Sequence, residues 1–470
     1  MHLYKVKKMG RQLLERIACS NHVTRTLARS VSMRYSRMKD ARQLHSRMSQ
    51  MSADQYFATS REPDLNVIII VVDSLRNSNL SCRGHFRQTT PFLDSMESRF
   101  TAISAAPWTY PSVASILTGL YPHNHNAVAG GRIKDVRNFE SLHGMRGDVL
   151  TLPEMLMLLG YRTYFSTAIE MAYLPVRGRV VAERYAPPAG AHHVLGELAK
   201  WILKDTEKKF FAYVHLGDLH VGVMDPPAAF RSFFGDVIRP IQKGDIRSYA
   251  LLYDNALRYV DSAIERTFRH LQKNRLAGRT LVVVTGDHGE EFFEHAEQEK
   301  GHFYDQRGFY GFGHGHHVFG VNIEVPLLLS GPVPARKPDH MVSAVDIVPT
   351  ILNLMKVKPL VRFDGQDLFS EYCGERHLLS ESTGYGYEKK AMIVGRYKLI
   401  YSKEDGVQWL FDLEKDPQER CPIVDDALTS VFVERLNRMM MEDERRRVAK
   451  TMGKKSWSRT PGIRTGSSAS

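Results

Sequence analysis

The chain has 470 residues, is 43% hydrophobic and 25% charged, and carries a formal net charge of +12, enough length and apolar content for a large buried core in two or three units. The charge sits at the ends: residues 1–61 hold 13 Lys/Arg against 3 Asp/Glu, residues 445–470 hold 8 against none, and the middle is left at −6. A mildly acidic middle argues against a core built to grip nucleic acid. The sequence also has no apolar run near the length of a membrane span, no secretory apolar core, and only four scattered cysteines, Cys19, Cys82, Cys373 and Cys421.

In chain order, Leu3, Val6, Leu13, Leu14 and Ile17 recur at helical spacing beside Lys5, Lys8, Arg11 and Arg16. That pattern allows peripheral contact of residues 1–20 with an anionic lipid surface. Met, Ser and Arg dominate residues 30–52 without aromatic anchors, so the basic arm 1–60 reads as a solvated helical or disordered extension. LNVIIIVVDSLR (65–76) then reads as a buried parallel strand that ends in Asp73.

TYPSVASILTG (109–119) predicts a short helix with Thr109 as N-cap, Pro111 in the first turn and Gly119 as the stop. A hydroxyl there faces unpaired backbone N–H groups and the positive end of the helix dipole, a setting that suits a nucleophile and the anionic group it attacks. FFAYVHL (210–216) predicts a strand, followed by Asp218 and His220, whose spacing lets both face one side of an extended loop. LVVVTGDHGEE (281–291) repeats the design of the first strand, ending in Asp287 and His288, and a glycine-rich stretch carries His314, His316 and His317.

Strand-like runs at 66–72, 161–166, 210–216, 280–284 and 325–330 alternate with helical stretches at 194–204 and 248–271. The fold class is therefore α/β, a mostly parallel sheet between helices. The expected units are the arm, a catalytic domain over 61–360, a smaller C-terminal α+β subdomain over 361–430, and a helical extension with a disordered basic tail over 431–470. Ligands in open α/β sheets sit at the carboxyl ends of the strands, so Asp73, Asp287 and His288 converge there and suit Zn²⁺, Mn²⁺ or Mg²⁺ with Thr109 as a further ligand and nucleophile. Asp218, His220 and His316 are candidates for a second ion. With a single ion, His220 and His314 become hydrogen-bond donors or the general acid.

Seven segments in order resemble the sulfatase-like branch of the alkaline phosphatase superfamily over residues 64–424. They are DSLRNSNLSCRGHFRQTTPFLDSM (73–96), TYPSVASILTGLYPHNHNAV (109–128), VHLGDLHVGVMDPPAAF (214–230), TGDHGEE (285–291), GHGHHVFGVNIEVPLLLSGP (313–332), VSAVDIVPTILNLMKVKPLVRFDGQDLF (342–369) and KLIYSKEDGVQWLFDLEKDPQER (398–420). The resemblance implies the sulfatase fold, places Arg76 and His314 among substrate-binding residues, and implies His314 or His316 as a late metal ligand or a contact to the leaving group.

The chain departs from that pattern where the chemistry is decided. Sulfatases carry Cys or Ser in place of Thr109 and oxidise it to formylglycine, an aldehyde that Thr cannot give because its β-carbon bears a methyl group. Val113 replaces an Arg, and Ser74 replaces a second consecutive Asp that serves calcium. Thr at this place resembles phosphodiesterases, phosphonate hydrolases and phosphoethanolamine transferases.

The expectation is thus a hydrolase of phosphate diesters or phosphonates that uses one or two divalent ions, Zn or Mn ahead of Mg or Ca. Its substrate would be a small-molecule or lipid-head-group ester, and its setting cytoplasmic. The alternatives are a sulfuric ester hydrolase working without formylglycine, a phosphoethanolamine-type transferase and, last, a non-catalytic lipid- or nucleic-acid-binding protein.

Overall fold

All seven residues of Asn66–Val72 (β1) are buried, and the strand lies parallel between Phe210–Leu216 (β5) and Thr280–Gly286 (β6). A strand flanked on both sides and covered on both faces favours apolar side chains on both, which is why VIIIVV after Asn66 does not alternate, and Asn66 at its start is hydrogen-bonded to Thr280 and Phe210. In this computed structural model residues 36–58, 64–130, 141–184, 189–237, 241, 244–336, 340–371 and 375–457 are described, with side chains to residue 447.

The main sheet has eight strands. Besides β1, β5 and β6 these are Ser98–Ile103 (β2), Arg162–Thr167 (β3), Ala182–Arg184 (β4), Glu324–Ser330 (β7) and Val342–Ser343 (β8), in the order β8-β2-β7-β6-β1-β5-β3-β4. Only β7 runs against its neighbours, antiparallel to both β2 and β6. The sheet is mostly parallel between helices, as expected. Odd-numbered β1 residues Val67, Ile69 and Val71 pack under Thr109–Thr118 (α1), Leu152–Leu158 (α2) and Ile347–Leu354 (α5). Even-numbered Ile68, Ile70 and Val72 pack under Ala191–Leu203 (α3) and Ile246–Lys273 (α4).

A separate antiparallel sheet of four strands, His377–Ser380 (β9), Lys390–Val394 (β10), Tyr397–Ser402 (β11) and Val407–Asp412 (β12), forms the C-terminal part. Leu379, Met392, Leu399 and Leu410 of this sheet share a core with Ala105, Tyr121 and Val345 of the main body and with Phe432 and Leu436 of the final helix, Asp426–Trp457 (α6).

Residues 36–58, counted with the basic arm in the sequence, lie against the body. A helix over 36–48 sets Asp40 against the Tyr173 hydroxyl and Arg47 against the carboxylate of buried Glu154, with Arg47 guanidinium bonds of 2.8 Å to Gly147 O and 2.9 Å to Val149 O. A long-range ion pair of this kind leaves no mark in local composition. The lipid-contact reading of residues 1–20 and the reading of the basic tail beyond 457 lie outside the described residues.

His123 ties α6 to the body, with Nδ1 2.6 Å from Glu381 and Nε2 3.2 Å from Asp443. Burial works against its charge, but the two carboxylates outweigh burial and push its pKa up from 6.5 to about 10. The folded state therefore favours the proton: the stabilisation is full below pH 6.5 and is lost as pH rises toward 10. Urea unfolding should show stability falling across that window by a few kcal/mol. His123→Gln should flatten the fall, and an equally steep fall in the variant would contradict the assignment.

Candidate active site

Parallel pairing of β1 with β6 in the register Val72↔Gly286 brings the next residues, Asp73 and Asp287, side by side at the carboxyl edge of the sheet. Both are fully buried. Ser74 follows Asp73 in the left-handed region (φ +60), which turns its N–H onto Asp287 Oδ1 at 3.2 Å and its hydroxyl onto Asp73 Oδ1 at 3.1 Å. Asp287 Oδ1 also accepts from His288 N at 2.9 Å, whereas Asp287 Oδ2 is buried with no hydrogen-bond partner.

His288 donates from Nδ1 to the Gly289 carbonyl at 2.8 Å, an acceptor only, so its Nε2 is bare. That nitrogen lies 3.4 Å from Asp287 Oδ2 and 3.2 Å from the Thr109 hydroxyl. Burial, helped by the field of His314, pushes the His288 pKa down to about 3, so the ring is neutral. Gly289 is where the backbone comes closest: a Cβ there would meet Val321 O at 1.9 Å.

Thr109 is the first residue of α1, not its cap. Trp108 is the cap residue, in extended conformation, with its indole N–H bonded at 2.6 Å to the Ser382 carbonyl of the C-terminal part and its ring against Gly384. The helix stops at Gly119 in the left-handed conformation, as expected (φ +67). Because Thr109 Oγ1 is not used in capping, it faces Asp73 Oδ2 at 3.4 Å and His288 Nε2.

His215, which the sequence reading passed over as a strand residue, completes the base of the site. It is fully buried and pairs with Val71 in the sheet. Its Nε2 lies 3.1 Å from Asp73 Oδ2 and 3.7 Å from Asp287 Oδ2, and its Nδ1 is 3.0 Å from the Tyr213 hydroxyl. The signal available was an imidazole interrupting FFAYVHL near its end, as Asp73 ends its own run.

The electrostatics of the two aspartates diverge. Burial, then the Asp73 charge, hold the Asp287 carboxyl well above the usual range. For Asp73 burial acts the same way, but His220, His215 and His288 outweigh it and hold the carboxyl well below that range. Two buried carboxylates, an orphaned oxygen, a bare imidazole nitrogen and a hydroxyl fit a divalent cation, and the donor atoms of Asp73, Asp287 and His288 lie within 4.8 Å of one another.

His220 and His314 come to the same mouth. The His220 ring packs edge-on to His314 at 5.2 Å, and the His314 ring is 4.1 Å from that of His288. His220 Nδ1 donates to Val221 O at 2.7 Å. His314 Nδ1 contacts Glu290 at 3.1 Å, and although burial opposes it, Glu290 raises the His314 pKa.

Three expected residues are placed elsewhere. Asp218 accepts from Ala191 N at 3.1 Å at the start of α3, and burial pushes its pKa up to about 6. The loop after β5 does not stay extended: a turn from Gly217 O to His220 N (3.2 Å) sends Asp218 and His220 apart. His316 is carried away from Thr109 by the left-handed Gly315 (φ +81) and meets Glu299 instead. The Arg76 guanidinium is committed to Glu294 at 2.6 Å, over the Phe292 ring, and is not free for a substrate.

A sequence profile described as Sulfatase matches residues 65–357, well over half of the chain. The chain belongs to the sulfatase family. Arylsulfatase K of Xenopus laevis is 26% identical over 215 residues, which is 42% of this chain and 37% of that protein, so the match spans little more than a third of its length. Among solved structures, a 2-O GAG sulfatase superposes with TM-score 0.60 at 18% identity over 82% of this chain and 92% of its own. The phosphonate monoester hydrolase of Agrobacterium radiobacter superposes with TM-score 0.58 at 18% identity over 81% and 96%. Both show the shared fold. Among the described residues no helix is long and apolar enough to cross a membrane.

Replacing Asp287 by Asn removes a carboxyl whose charged form burial and the Asp73 charge disfavour. In EDTA the variant should melt at the same temperature as the parent or higher, and it should lose the stabilisation that added Zn²⁺ or Mn²⁺ gives the parent. A parent whose melting is indifferent to both cations would contradict a cation site here.

Proposed function

We propose that this sulfatase-family chain is a metal-dependent hydrolase of anionic esters with Thr109 as nucleophile, and that sulfuric esters are its first substrate class. The observation that carries the nucleophile is the Thr109 hydroxyl, uncommitted to capping and 3.2 Å from a bare His288 Nε2. The substrate class rests on the relatives, named as arylsulfatases, whose match covers only part of their length. This turns the expectation from phosphate diesters toward the sulfuric ester alternative.

Asp73, Asp287, His288 and Thr109 would hold the cation, with His215 steadying Asp73. One imidazole and two carboxylates favour Zn²⁺ or Mn²⁺. A bound divalent ion lowers the pKa of the hydroxyl and balances charge on the transferred group. With its proton lost to solvent, Thr109 Oγ1 attacks sulfur, and the S–O bond to the leaving alcohol breaks. His314, whose proton Glu290 favours, gives it to the leaving oxygen and then takes one from the water that attacks sulfur; the S–Oγ1 bond breaks, which releases sulfate and leaves Thr109 Oγ1 as it was before the attack. With its Nδ1 proton donated to Val221 O, neutral His220 presents a bare Nε2 at the same mouth, which suits a proton acceptor or a cation ligand better than a donor to the non-bridging oxygens. Exposed, unpaired Cys82 and Cys421 are consistent with the cytoplasmic setting we include in this reading.

A second reading, phosphate or phosphonate esters, is favoured by Thr109 itself, since its β-methyl closes the aldehyde route. Matched aryl sulfate and aryl phosphate substrates separate the two. Faster sulfate turnover supports the first reading and faster phosphate turnover the second. Thr109→Ala should lower kcat by about 10³-fold or more on the preferred ester, and a variant with near-parental turnover would overturn both.

A further inference from the structure

Beyond Gly315 the chain builds a second group of histidines and carboxylates. His316 and His317 meet Glu299, from the short helix Ala296–His302, and Glu291, and all four are buried. His316 Nε2 lies 3.0 Å from Glu299 Oε2, and His317 Nε2 lies 3.3 Å from Glu299 Oε1 and 3.4 Å from Glu291 Oε2. Donors sharing one tetrahedral zinc at ~2.05 Å stand about 3.3 Å apart, and donor atoms of Glu299, His316 and His317 lie within 4.8 Å of one another, close enough to meet one ion.

The hydrogen-bond pattern points the same way. Both ring nitrogens of His316 are buried without a hydrogen-bond partner, because its close contact with Glu299 is not aligned as one, and Asn322 Oδ1 beside His317 is also unpartnered. Orphaned buried polar atoms are rare, and here three fall in one cluster. As drawn, His317 Nδ1 accepts from Phe319 N at 3.2 Å, and the Asn322 amide nitrogen is 3.4 Å away. For Nε2 to bind a cation Nδ1 must carry the proton, which exchanges the Phe319 N–H bond for one to the Asn322 oxygen once that amide is turned end for end. His295 donates to Glu291 Oε2 at 3.0 Å and to Gln418 O at 3.0 Å, and so steadies that carboxylate from behind.

We propose that Glu299, His316 and His317, whose donor atoms lie within 4.8 Å of one another, hold a second divalent cation, matched to zinc and separate from the Asp73–Asp287–His288 group, with Glu291 beside His317. Two imidazoles and a carboxylate buried together describe a structural site, one that fastens residues 296–317 and so the arm of chain that presents His314. Nothing in this assignment depends on which ester the enzyme cleaves.

Metal analysis of the full-length protein, loaded with zinc and desalted, should give two equivalents per chain. The Asp73→Asn/Asp287→Asn double variant should keep one equivalent and still melt several degrees higher with zinc, and adding His316→Ala should remove both effects. A double variant that binds no zinc, or a His316→Ala protein with unchanged zinc content, overturns the proposal. Should the His316 variant fail to fold, zinc X-ray absorption on the double variant decides: two imidazoles in the coordination shell are expected, and none refutes the site.

Discussion

Two carboxylates buried side by side are the constraint around which the carboxyl edge of the sheet is organised. The register that pairs Val72 with Gly286 leaves Asp73 and Asp287 no route apart, since each is fixed at the end of a strand buried on both faces. Isolated, such a pair opposes folding, because each charge is desolvated and repels the other. The surroundings answer with donors: the Ser74 amide and hydroxyl, the His288 amide, and the His215 ring. They do not answer completely. Asp287 Oδ2 keeps an unmet demand for positive charge, and the Thr109 hydroxyl stands beside that demand. Stability has been given up locally to build a place where a cation and an anionic ester are both favoured.

Much of this was legible in the sequence because it is local. A β-branched run that ends in Asp, twice, marks two strand ends at one edge of a parallel sheet, and Gly119 marks the helix stop whatever surrounds it. What could not be read depends on register or on remote partners. His215 acquires a role only once β5 is laid beside β1. The spacing of Asp218 and His220 predicts neighbours on one side of an extended loop, and a single turn from Gly217 separates them. His314 and His316 differ by two positions, yet a left-handed glycine between them assigns them to different clusters. The Arg76 guanidinium meets Glu294 across more than two hundred residues, and the helix over 36–48 reaches Glu154 across more than a hundred.

The short stretch from Asp287 to Glu291 carries an unusual density of function. Asp287 and His288 face Thr109, Glu290 supports His314 across the same mouth, and Glu291 turns to His317 and His295 on the other side. Such divergence over five residues needs a backbone that lies against its neighbours without side-chain bulk, and Gly289 supplies it where the chain passes Val321.

Trp108 gives the last point. The residue before the nucleophile is anchored by its indole N–H to Ser382 and lies against Gly384, both in the C-terminal part. The stretch that defines the family ends at residue 357. The segment by which this chain is recognised therefore lacks the anchor that sets the position of Thr109. A protein trimmed to residues 65–357 would keep Asp73, Asp287 and His288 and lose the contact that fixes the entry of α1, so the unit that the proposed reaction requires extends through the second sheet.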